Sequence, residues 1–92
     1  MGDDEDLGRF RGDVLRLTGA RDLADLRLSP ALARLEADLA AVTRLRLGLD
    51  RDPARPRTRA EVAAALGLGG ARLQEMVAAL EDDVVLALGP LG

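Results

Sequence analysis

The side chains available to build a core are almost all leucine, alanine and valine: Phe10 is the only aromatic residue in the chain, and isoleucine is absent. Such a core packs most readily from alanine-rich helices carrying leucine stripes, because Ala and Leu head the helix-propensity scale while the aromatic residues that strands favour are scarce here. An all-α fold is the expectation. Hydrophobic residues make up 48% and charged residues 32%, the mixture of a chain that folds and not of a disordered tail. With 92 residues there is material for one small core.

The composition also removes chemistry. Without Cys there is no disulfide, thiolate zinc site or cysteine nucleophile, and without His the usual general base is missing. The acidic pairs Asp22 with Asp25, and Glu81 with Asp83, lack supporting metal ligands. The segment "DRDPARPRTRAE" lacks the alternating oxygen ligands and central glycine of a calcium loop, and "GLGG" lacks the Lys-Ser/Thr of a phosphate loop. No catalytic residue, metal or cofactor is expected. The acidic start "MGDDEDLGRF" is unlike a secretory signal, and no apolar run approaches a membrane span, so a cytoplasmic protein is expected. All 13 basic residues are arginine, which resembles the coding bias of a GC-rich bacterial genome.

Along the chain, Asp3 to Asp6 read as a solvated end, the alternative being the first turn of a helix. Phe10, Val14 and Leu17 follow at helical spacing until Gly19 stops the helix. Within it, Arg11-Gly12-Asp13 forms an integrin-type tripeptide, read as ordinary solvated positions. Leu23 and Leu26 share a face, after which Ser29 and Pro30 read as an N-cap and first position of a new helix. Leu32, Leu35, Leu39 and Val42 then form a heptad-like seam, continued less cleanly by Leu45 and Leu49, for packing within the monomer or against a second copy or protein partner.

"GLDRDPARPRTR", with Gly48, Pro53 and Pro56, reads as a linker between an N-terminal helical interaction or dimerisation region, residues 1–50, and a second helical region, residues 51–92, of one compact domain. Between Arg44 and Arg59 six arginines face only Asp50 and Asp52, a local charge of +4 on a chain of net charge −3. Thr58 with Glu61 predicts a capping box and a helix from about Arg59, with Val62, Ala65 and Leu66 facing the core. Gly67 ends that helix, Leu68 plugs the turn, and Leu73, Met76, Val77 and Leu80 resume helical spacing. Val84, Val85, Leu86 and Leu88 before Gly89-Pro90 predict a short strand.

"EVAAALGLGGARLQEMV", Glu61 to Val77, resembles the helix-turn-helix of bacterial transcription regulators and sigma factors, with Ala63, Gly67, Leu68, Leu73 and Val77 in the places that motif reserves for small, turn and apolar residues. In winged relatives such as the MarR-like regulators a strand follows the second helix, where "DDVVLAL" stands. The chain as a whole is expected to form four to five helices, and the resemblance implies a C-terminal helix-turn-helix with room for a β-wing and duplex DNA as a partner. Arg55, Arg57 and Arg59 would then anchor phosphates while Arg72 and Gln74 approach base edges. The second helix is thin in reading residues, and Glu81, Asp82 and Asp83 would repel phosphate near the duplex. "ALGLGGARLQEMVAALEDD" is also similar to the second helix of acyl and peptidyl carrier proteins, but Gly69-Gly70-Ala71 replaces the triplet whose serine carries phosphopantetheine. That leaves a non-enzymatic protein-interaction adapter as the rival to a small DNA-binding regulator.

Overall fold

The computed structural model describes residues 2–89, and among them the chain forms six helices and no strand. They are α1 (Gly2–Thr18), α2 (Leu23–Arg27), α3 (Pro30–Ala33), α4 (Ala37–Leu47), α5 (Arg59–Ala65) and α6 (Leu73–Leu88). The all-α expectation is met, with α2 and α3 each about one turn long. No helix of the described residues is long and apolar enough to cross a membrane.

Local signals set most boundaries. Gly19 follows α1 in the left-handed region, φ 74°. Asp22 caps α2 by accepting the Asp25 amide at 2.9 Å, which gives that acid a structural task. Ser29 Oγ accepts the Ala31 amide with Pro30 at the helix start, as the sequence predicts. Thr58 and Glu61 close the capping box: Thr58 Oγ1 accepts the Glu61 amide and the Glu61 carboxylate accepts the Thr58 amide.

Three expectations give way to tertiary packing. α1 begins at Gly2, so the acidic opening is helical, with Asp4 and Glu5 exposed and Asp3 and Asp6 half-buried. The tripeptide Arg11-Gly12-Asp13 lies within the same helix, Asp13 accepting from Arg16 at 2.9 Å. The seam is not one helix: it breaks at residues 34–36 between α3 and α4. Leu32, Leu35 and Leu39 pack into one apolar cluster while Val42 enters another, so the seam divides between two parts of the core. No proline or glycine marks the break; packing overrides a local preference for continuing helix. The third correction is the strand predicted at Val84 to Leu88. α6 runs through it, because Val77, Glu81 and Val84 recur at helical spacing and are buried in succession, while Leu86 is 69% exposed.

Two clusters make the core. Phe10, Val14, Leu26, Leu32, Leu47, Leu49 and Val84 form the first, and Val42, Val62, Ala63 and Val77 the second. α6 packs on α1, α4 and α5, so residues from both sides of the 48–58 segment share one core. α4 lies at the centre, with Ala40, Val42, Thr43, Arg46 and Leu47 buried around its circumference. The connecting segment is fastened down: Arg27 donates to the carbonyls of Leu49 and Arg51 at 3.0 and 2.5 Å, and the Arg57 amide donates to Arg46 O at 3.2 Å.

Candidate functional site

The helix-turn-helix segment has the local geometry its residues imply. α5 buries Val62 and Ala63, Gly67 turns the chain at φ 73°, and Leu68 and Leu73 pack against the second cluster beside buried Val77. Ala63 is buried in the same cluster as Val77 of α6. Ala65, expected to face the core, is exposed; so is Met76, because α6 turns Val77 inward instead.

The arginines thought able to hold phosphate have unequal surroundings. Arg55 is exposed. Arg57 binds Asp50 bidentately, Nη1 to Oδ1 at 2.6 Å and Nη2 to Oδ2 at 2.9 Å, which holds the Asp50 carboxyl below the ordinary carboxylate range. Arg59 makes a second fork, Nε and Nη2 donating to the two Glu81 oxygens at 2.9 and 3.0 Å, while Nη1 reaches Asp6 at 2.9 Å. The Glu81 hydrogen bonds raise the Arg59 guanidinium above its usual value and keep it charged. Arg72 and Gln74 are exposed at the start of α6, with Arg72 Nε 3.9 Å from Glu75.

The side chain that organises this region is Arg46, which sequence reasoning counted only as part of a basic run. It is 0% exposed. Its Nε donates to Glu81 Oε2 at 3.1 Å and Nη1 donates to Asp3 Oδ2 at 3.2 Å and Arg57 O at 2.7 Å. Nη2 adds a bond to Asp3 O at 3.3 Å. Glu81, read as a phosphate-repelling surface acid, is 3% exposed and lies between Arg46 and Arg59. Burial would raise the Asp3 carboxyl, but hydrogen bonds from Arg46 and the Arg59 amide outweigh it and leave its pKa lowered. Among the described residues no buried side-chain nitrogen or oxygen lacks a partner. One sequence signal pointed to this: Glu81 interrupts the apolar stripe Val77, Val84, Leu88. A charge in such a place is buried only if paired.

The network changes the electrostatic account. The local charge of +4 from Arg44 to Arg59 meets three carboxylates from outside that stretch, Asp3, Asp6 and Glu81. Four positive charges less three negative leave one. Burial of Arg46 further removes its charge from any surface that a duplex could touch.

A second feature lies along the C-terminal half of α6. A groove of about 500 Å³ opens between α6 and the α3–α4 corner, lined by half-buried Leu35, Leu39, Leu80 and Leu88. Exposed Arg34, Glu36, Asp38 and Asp83 stand at its edge. Its lining includes two of the seam leucines and holds no member of the proposed DNA-binding set. Comparison of the chain with protein-family models, curated proteins and solved structures gives no match.

Proposed function

We propose that the chain is a non-enzymatic protein-interaction module in which the helix-turn-helix serves as a structural corner. The observation that carries this reading is the engagement of Arg57 and Arg59 by Asp50, Glu81 and Asp6. Affinity for duplex DNA comes chiefly from cations that neutralise phosphates and release counterions. Two of the three arginines suited to that task would first have to leave bidentate internal partners. A guanidinium fork on a carboxylate is among the stronger protein ion pairs. Of the five residues singled out for DNA, Arg55, Arg72 and Gln74 remain, and Glu75 lies beside Arg72.

The regulator reading keeps one observation in its favour. Gln74 and Arg72 are exposed at the start of the second helix, where a recognition helix meets base edges. The two readings part in a titration of the chain against mixed-sequence duplex DNA at physiological salt, followed by fluorescence anisotropy. The interaction-module reading expects no binding tighter than the about 10⁻⁴ to 10⁻⁶ M of non-specific contacts. Tighter binding, with a salt slope that flattens by about 2 to 3 when Arg55, Arg57 and Arg59 become Ala, would establish the regulator and sink the module.

A further inference from the structure

We infer that the groove between α6 and the α3–α4 corner is the docking site for a cationic amphipathic helix of a partner protein. The inference rests on the interaction-module reading and names its site and the chemistry of its partner.

The groove opens between helices with four leucines and charged residues in its lining, a mixture that suits the apolar stripe and polar flanks of another helix. Charge decides the occupant. Glu36, Asp38 and Asp83 face a single cation, Arg34, and among the described residues none of the four takes part in a salt bridge. Elsewhere the chain pairs carboxylates with arginines readily, as at Asp3, Asp6, Asp13, Asp50 and Glu81. Asp38 gains from the first turn of α4, where the helix dipole favours an acid. Asp83 has no such support, since it lies in the C-terminal half of α6. The last turn of α6 contains no basic residue, so its carbonyl end adds negative potential. Arginines or lysines flanking a leucine stripe would complement both. A second copy docked symmetrically would bring the same acidic edge against itself, which like-charge repulsion opposes.

The test uses the full chain and two synthetic peptides of about 18 residues, about five helical turns. Both have leucines at i, i+4 and i+7; one has arginine on the flanks and the other glutamate. Backbone amide shifts of the labelled chain locate binding. The arginine peptide should bind about ten-fold or more tightly than the glutamate peptide at low salt, with shifts confined to residues 31–39 and 80–88. Ala87, exposed on the groove wall, permits a blocking variant that leaves the core intact. Ala87→Arg should weaken the arginine peptide about ten-fold without moving the thermal midpoint. The triple variant Glu36→Gln, Asp38→Asn, Asp83→Asn should keep apolar binding but lose its salt dependence. Equal affinity for both peptides, no binding of either, shifts centred outside the groove, or full affinity in Ala87→Arg would each overturn the inference. So would a wild-type dimer whose interface protects residues 31–39. None of these results touches the interaction-module reading, which stands or falls on the DNA titration.

Discussion

Gly48 shows how one residue can decide whether the two sides of the chain meet. It ends α4 at φ 72°, a region that L side chains adopt only under strain, and a Cβ there would overlap the backbone of Arg55. That close approach lets the 48–58 segment fold back on α4, with the Arg55 amide donating to Gly48 O at 3.2 Å. Gly67 has nearly the same φ, 73°, but open space around its added Cβ. Gly67→Ala therefore measures conformational strain alone and should cost about 1 kcal/mol. Gly48→Ala adds a backbone collision and should cost roughly 3 kcal/mol or more. Urea unfolding of the two variants reads the difference, and equal losses would show that the contact with Arg55 is absent in solution.

At the scale of an element, α6 is where local reading and packing disagree most. Branched Val84 and Val85 before Gly89-Pro90 favour extended chain by propensity, yet the helix continues to Leu88. The two geometries predict opposite partners for Val84. A strand places Val84 and Leu86 on one face, whereas a helix turns Val84 to the core and Leu86 to solvent. Val84→Lys should accordingly unfold the chain or cost about 3 kcal/mol or more, while Leu86→Lys should change stability by less than about 0.5 kcal/mol. Thermal unfolding followed by circular dichroism reports both, and similar losses at the two sites would favour the strand.

At the scale of the whole molecule, the charge network joins α1, α4, α5 and α6 through Asp3, Asp6, Arg46, Arg59 and Glu81. Neutralising Glu81 leaves buried Arg46 with Asp3 and Arg59 with Asp6 as their remaining acidic partners, so Glu81→Gln should cost about 3 kcal/mol. The double variant Arg46→Met with Glu81→Leu should lose less than Glu81→Gln alone, since it removes both buried charges together. Asp3 of this network and two carboxylates outside it shape the response to acid. Asp3 and Asp50 have lowered folded pKa values, and Glu61 is lowered by the Thr58 amide and hydroxyl. Their contribution is present in full above the ordinary carboxylate value of about 4 and is lost as pH falls through the lowered folded values. Stability should therefore hold from about pH 7 to about pH 5 and decline below, more gently in Asp3→Asn. An unchanged acid limb in that variant would detach α1 from the network.

What was legible in the sequence was what neighbouring residues settle among themselves. Ser29 with Pro30, Thr58 with Glu61, and Gly19 and Gly67 state helix ends through hydrogen bonds and φ angles confined to a few residues. The aliphatic composition states the all-α class for the same reason, since propensity is a local property. The fate of the arginines was not legible, because their partners lie far along the chain: Glu81 is 35 residues from Arg46, and Asp6 is 53 from Arg59. Nor was the break between α3 and α4, which answers to the surfaces those helices cover and not to any residue at the break. Tertiary structure paired Arg46, Arg57 and Arg59 of that basic run with Asp3, Asp50 and Glu81, because a guanidinium takes the carboxylate that folding brings within reach.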